Sequence, residues 1–153
     1  MADKRALIFG CSGQDGALLS CSLLNKGYEV IGLTRSGTEN LKNLAQLGIE
    51  QAIRINKGDI KDIRSITNSI EKFNPSIIYN LAAQSSVGKS FIFPVETIES
   101  ITNGTINLLE AARKIDYQGP IFFAGSSEIY GNTKRKATID SAQRPRSPYG
   151  ISK

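Results

Sequence analysis

Short apolar runs and amphipathic stretches alternate along the whole chain. Ala6 to Phe9 is an apolar run ending at a glycine and predicts a buried strand. Gln14 to Asn25, with Ala17, Leu18, Leu19, Leu23 and Leu24, predicts a helix, and Lys26-Gly27 closes it. Tyr28 to Thr34 predicts a second strand, Glu39 to Leu47 a short helix ended by Gly48, and Gln51 to Lys57 a third strand. Asp62 to Phe73 places Ile63, Ile66 and Ile70 on one helical face, and Asn74-Pro75 stops it. Ser76 to Leu81 predicts a fourth strand. Pro94 to Ile115 predicts a long helix with Val95, Ile98, Ile101, Leu108, Leu109, Ala112 and Ile115 as its apolar stripe. Ile121 to Ala124 predicts a fifth strand, residues 126–147 a polar loop, and a last helix starts near Pro148, a position that suits proline. This alternation is that of an α/β doubly wound parallel sheet, with expected strand order 3-2-1-4-5 and a ligand crevice between the ends of strands 1 and 4.

Composition narrows the picture only a little. The 153 residues, 40% hydrophobic and 22% charged, suit one globular domain or part of one. The net charge of +5 is scattered, and the densest basic run is Lys134-Arg135-Lys136, so the pattern suits phosphate-bearing ligands better than nucleic acid. Cys11 and Cys21 have no metal-ligand spacing and read as small residues of a reducing compartment, so no metal is expected. Asp3-Lys4-Arg5 leads into the first strand without a signal peptide, and no apolar run reaches transmembrane length. The expectation is a cytoplasmic protein with no membrane or nucleic-acid partner.

The first candidate chemistry lies between strand 1 and helix 1. Gly10-Cys11-Ser12-Gly13-Gln14-Asp15-Gly16 has a strand before it and a helix after it, as a dinucleotide-binding turn requires. Gly10 permits the tight turn, Gly13 lets a pyrophosphate approach the backbone, and Gly16 lets the helix pack close to the sheet. The start of the helix supplies free N–H groups and positive dipole. This defines a Rossmann-like domain over residues 1–153. Arg35 follows strand 2, where NAD-binding versions of the fold usually place an acidic residue. A guanidinium there suits a 2′-phosphate, so the expected cofactor is NADP. Asp59 and Ile60 follow strand 3, where adenine would lie. Asp59 either accepts from the adenine amine or caps the next helix. Leu81, Ala82 and Ala83 follow strand 4, where small residues serve either cofactor contact or packing.

The second candidate lies at the end of the chain. Tyr149 and Lys153 are four apart, which puts both side chains on one face of a helix. An ammonium about 4 Å from the phenol is worth roughly 4 kcal/mol at an effective dielectric of 20. That favours the phenolate by about three pKa units, enough to make tyrosine an acid or base near neutrality. Ser126 and Glu128 stand just after strand 5, at the same carboxyl edge of the sheet.

Taken together, GCSGQDG, YNLAAQSSVGKSF, AGSSEIYG and RSPYGISK resemble the extended short-chain dehydrogenase/reductases that act on nucleotide sugars. Within them the chain is most similar to the N-terminal part of the GDP-mannose 4,6-dehydratase family. The resemblance implies a nucleotide-sugar substrate, GDP-mannose, and homo-oligomers of the full-length proteins. It implies that Tyr149 takes the proton of the sugar C4 hydroxyl and that Lys153 holds the nicotinamide ribose. It gives Ser126 a hydrogen bond to the C4 oxygen, and Glu128 the proton at C5. Ser86 departs from the family's usual histidine, and Ser126 from its usual threonine. Decarboxylases of UDP-glucuronate also carry a glutamate at the position of Glu128. Another nucleotide-sugar epimerase or decarboxylase, or a non-catalytic NADP-binding module, therefore stays open. The resemblance implies that the chain stops at the start of the catalytic helix, with the later strands and the substrate domain absent. The expectation is an incomplete domain, inactive alone, with an open apolar flank beside the helix of residues 94–115.

Overall fold

The computed structural model describes residues 4–153; Asp3, part of the charged lead-in, lies outside the described residues. Five parallel strands form one sheet in the order β3-β2-β1-β4-β5, the topology expected from the alternation. They are β1 (Arg5–Phe9), β2 (Glu29–Thr34), β3 (Arg54–Lys57), β4 (Ile77–Asn80) and β5 (Ile121–Phe123). β1 is central, pairing Ala6 with Val30 on one side and with Ile77 on the other. Such a strand sees protein on both faces, which explains its continuous run of apolar residues. Ala6, Leu7 and Ile8 are wholly buried.

One face of the sheet is covered by α1 (Gln14–Asn25) and α2 (Lys42–Gln46), through Ala17, Leu23 and Leu44. The other face is covered by α3 (Ile63–Phe73) and α6 (Gly104–Lys114), through Ile66, Ile70, Phe73, Leu108 and Ala111. Burying each of the leucine, isoleucine and phenylalanine side chains among these stabilises the fold by about 1.5–3 kcal/mol. Helix ends follow the residues that permit them. Gly27 (φ 74°) follows α1, Gly48 (φ 65°) follows α2, and Asn74 (φ 41°) ends α3 in the left-handed region.

Several elements differ from the sequence expectation. β3 begins at Arg54, because residues 51–53 turn and Ile53 is buried there instead of pairing. α2 is shorter than residues 39–47. The stretch around Ser86 forms a helix, α4 (Val87–Ile92), started by the Ser86 hydroxyl accepting from the Lys89 N–H. The long helix is continuous in path but not in type. α5 (Pro94–Ile98) passes into a π-helical segment, Glu99–Asn103, and then into α6. Ile98 and Leu109, expected on the sheet-covering stripe, are exposed, and Ile101, Leu108, Ala111 and Ala112 carry the stripe. The polar loop opens with a 3₁₀ turn, Ser127–Tyr130, and α7 (Pro148–Ser152) packs against α4, α5 and that turn. Among the described residues, no helix is long and apolar enough to cross a membrane.

Candidate functional site

A cleft of about 640 Å³ opens at the carboxyl ends of β1, β2, β3 and β4. Of the residues expected to bind a cofactor, Gly10, Gly13, Arg35, Asp59, Ile60, Leu81, Ala82 and Ala83 line it. Gly10 sits at φ 83°, and a Cβ there would lie 2.9 Å from the Ala82 nitrogen, so the turn can cross the end of β4 only without a side chain. Gly16 lies beneath the turn, buried, where any side chain would strike the Gly10 carbonyl and approach the Cys11 Cα to 2.7 Å. Gln14, Asp15 and Gly16 open α1, and the Gly13 N–H is held by the Gly10 carbonyl at 3.1 Å.

Side chains cap α3, α4 and α7, supplied by Asp62, Ser86 and Ser147. No side chain caps α1. Its first-turn N–H groups, at Gln14, Asp15 and Gly16, have no partner within the helix. They directly follow Ser12 and Gly13 of the cleft wall, an arrangement that suits an anionic group, although these three residues do not themselves line the cleft. The turn itself is tied from behind: Asn43 on α2 donates from Nδ2 to the Ser12 carbonyl at 2.8 Å. Beneath it, the Cys11 side chain fills the space that a Cβ on Gly32 of β2 would take.

Arg35 is exposed on the cleft rim and has no ion-pair partner among the described residues. Its backbone is fixed by a tight turn in which Thr34 Oγ1 donates to the Gly37 carbonyl at 2.8 Å. Lys61, by contrast, is held by Glu99 at 3.4 Å. Asp59 does not cap α3. Its carboxylate accepts from the Lys61 N–H at 2.9 Å, and Asp62 supplies the cap by accepting from the Arg64 N–H. Leu81 and Ala82 also pack against the two halves of the core, so they serve packing as well as the cleft wall.

Ser36 lines the cleft beside Arg35. Asn40, Lys61, Gln84 and Ser100 line it as well, unanticipated from sequence. Gln84 is held in place by α5 and the π segment. Its Nε2 donates to Thr97 Oγ1 at 3.2 Å, and its N–H donates to Ser100 Oγ at 3.4 Å. Gln84 also accepts from the Ser86 N–H. The local signal was the polar pair after Leu81-Ala82-Ala83, but only the tertiary fold brings residue 100 to residue 84.

Ser126, Glu128, Tyr149 and Lys153 gather beyond β5, outside the cleft lining. The Ser126 hydroxyl accepts from the Glu128 N–H at 3.2 Å, which leaves its own proton available to donate. Glu128 and Tyr149 are both half-buried. Gly150 is packed so closely on the 3₁₀ turn that a Cβ there would lie 2.7 Å from the Glu128 carbonyl oxygen. Ser147 is buried and fixes the start of α7 by accepting from the Gly150 N–H at 2.9 Å. The Lys153 ammonium lies 5.6 Å from the centre of the Tyr149 ring and 4.9 Å from that of Phe123. It donates to the Ala124 carbonyl at 2.6 Å, and burial lowers its pKa from the ordinary lysine value. The spacing thus does bring the amine and the phenol ring together.

A parallel sheet with a glycine turn at its switch point, and a Tyr/Lys pair beyond β5, are the architecture of an extended short-chain dehydrogenase/reductase. Residues 7–153 match the family described as GDP-mannose 4,6 dehydratase, and the chain belongs to that family. It is 38% identical to GDP-mannose 4,6 dehydratase 1 of Arabidopsis thaliana, over 98% of this chain and 45% of that protein. It is also 38% identical to the GDP-mannose 4,6-dehydratase of Vibrio cholerae, over 98% of this chain and 43% of that protein. The chain therefore spans less than half the length of these relatives. Among solved structures, it is similar to UDP-glucose 4-epimerase from Brucella ovis in complex with NAD. That match has a TM-score of 0.86 and 26% identity, covering 97% of this chain and 44% of the epimerase.

Proposed function

We propose that the chain is the cofactor-binding and proton-transfer portion of an NADP-dependent enzyme that dehydrates GDP-mannose to GDP-4-keto-6-deoxy-mannose. The observation that carries this reading is the pairing of two sites at one sheet edge. One is an uncapped α1 at a glycine turn, and the other is the Ser126, Glu128, Tyr149 and Lys153 cluster beyond β5. The cleft suits a dinucleotide: glycine at 10 and 13 leaves room at the turn, the α1 amides meet the pyrophosphate, and unpaired Arg35 meets a 2′-phosphate.

Held by the α1 amides and Arg35, NADP would supply a reversible hydride acceptor for the oxidation at the sugar C4 and the reduction at C6. Tyr149 removes the C4 hydroxyl proton, and the Lys153 ammonium stands beside its ring. Ser126 donates to the C4 oxygen. The resulting carbonyl acidifies C5, and Glu128 takes that proton and delivers it to the departing C6 hydroxyl, which leaves as water. Hydride addition at C6 is then matched by one proton taken up at C5, equal in count to the one Tyr149 removed from the C4 hydroxyl. Elimination thus needs the second acid–base group that simple reduction at C4 does not. The relatives extend well beyond the matched portion, so the full reaction is proposed for a protein of their length.

Two measurements test this. Titration with NADP and NAD should show tighter binding of NADP, and Arg35→Asp should weaken NADP while sparing NAD. Equal curves for the two in the unmutated protein would remove the NADP assignment. In a full-length protein given GDP-mannose, Glu128→Gln should block dehydration yet let NADPH accumulate. Normal turnover by that variant would point instead to epimerase chemistry.

A further inference from the structure

The phosphate turn is held by a residue that is remote from it in sequence. Asn43, half-buried on α2, makes the only side-chain hydrogen bond to residues 10–13 among the described residues, from Nδ2 to the Ser12 carbonyl. We propose that Asn43 is a positioning residue for the cofactor, locking the Ser12–Gly13 peptide and fixing the spacing between the pyrophosphate turn and the loop that carries Arg35. The inference rests on the dinucleotide reading given above.

The geometry explains why a lock is needed. In a trans peptide, the C=O and the N–H point in opposite directions. Here both ends of one peptide are held: the Ser12 C=O by Asn43, and the Gly13 N–H by the Gly10 carbonyl. Glycine at 13 places little steric barrier on rotation of that peptide. Rotation would swing the Ser12 carbonyl away from α2, and a carbonyl oxygen turned toward the start of α1 would oppose an anion bound there. No side-chain cap on α1 supplies a second restraint.

The same bond sets a distance. The backbone runs from β2 through the Arg35 turn, closed by Thr34 and Gly37, to α2. α2 has five residues and no side-chain cap. Leu44, wholly buried, anchors it to the core, and its neighbour Asn43 anchors it to the turn. Two adjacent residues thus tie the 2′-phosphate loop to the core and to the pyrophosphate turn.

Fluorescence titration of the chain with NADPH and NADH tests this, on wild type, Asn43→Ala, Asn43→Leu and Arg35→Ala. Thermal melts without nucleotide accompany each. Both Asn43 variants should weaken NADPH and NADH, about tenfold for the lost restraint on the turn, with the loss for NADPH at least as large as that for NADH. Their melting temperatures should stay within about 2 °C of wild type. Arg35→Ala should weaken NADPH alone. Unchanged affinity in the Asn43 variants, or a larger loss for NADH than for NADPH, overturns the proposal. So does a large drop in melting temperature or a loss of folding in both variants, since Asn43 would then be structural. Wild type binding neither nucleotide would overturn the cofactor reading and this inference with it, and that result is visible before any variant is made.

Discussion

The two ends of the sheet's carboxyl edge are built differently. Around β1 and β2 the site rests on strands whose side chains are buried on both faces, and on a turn restrained by backbone, by α2 and by close glycine contacts. Around β5 it rests on a three-residue edge strand with Phe122 half exposed, a 3₁₀ turn, and a five-residue helix. Val95, Ile98 and Leu109 lie open on the helices of that end. The cofactor half is thus organised by the core, whereas the proton-transfer half is organised by a few local contacts between short elements. Affinity for a dinucleotide should therefore be robust to damage that removes chemistry.

Two glycines probe that contrast most severely. Gly16→Val drives a branched side chain into the Gly10 carbonyl and the Cys11 backbone, neither of which can move without dismantling the turn. The expected cost is about 3 kcal/mol of stability, with loss of nucleotide binding. Gly150→Val should instead push α7 off the Glu128 carbonyl, costing about 1–3 kcal/mol while nucleotide affinity stays close to wild type. Denaturant unfolding and NADPH titration on the two variants check both. If Gly150→Val abolished binding as fully as Gly16→Val, the two halves would not be separable.

A pH experiment examines the core-organised half alone. Burial pushes the Cys11 thiol from 9.0 up to about 12. Between these values the unfolded chain has released a proton that the folded chain retains. The contribution to stability is therefore fully present below pH 9.0 and is lost as pH rises toward 12. The slope is at most about 1.4 kcal/mol per pH unit. Cys11→Ala should remove that slope relative to wild type, measured by urea unfolding across the same window. Parallel slopes in the two proteins would mean that the thiol already ionises in the folded state.

The smallest effect sharpens the comparison. Ser147→Ala and Asp62→Ala each remove one helix cap, and each should cost about 1 kcal/mol. Only the Ser147 change sits two residues from Tyr149, so only it should reduce turnover in a full-length protein beyond what stability explains. Equal turnover in the two variants would show that α7 keeps its place without its cap.

How far these features were legible follows from how local their causes are. The strands read well where burial on both faces produced unbroken apolar runs, as in Ala6 to Phe9. The glycine turn read well because the φ of Gly10 and the crowding at Gly16 are demands that only one residue type meets. α4 was missed because Phe91 and Ile92 are exposed, so its apolar residues do not mark a buried face. The Ser86 cap was there to be read but was absorbed into a motif. Ile98 and Leu109 were misassigned because the π segment changes the helical repeat midway, which a constant period cannot follow. Gln84 with Ser100, and Asn43 with Ser12, join residues far apart in the chain, and no spacing rule announces such pairs.

The contact between Cys11 and Gly32 carries a consequence for inheritance. A methyl group at position 32 would collide with the Cys11 sulfur, yet once that sulfur is gone the nearest remaining atoms stand at 3.0 and 3.1 Å. Gly32→Ala is thus severe in the present background and less costly after Cys11→Ala, where the methyl group still presses on the Cβ of residue 11 and on Ile55. The two positions form one epistatic unit, so a lineage can change position 32 only after position 11 has shrunk. The order of substitutions beneath the phosphate turn is set by a single sulfur atom.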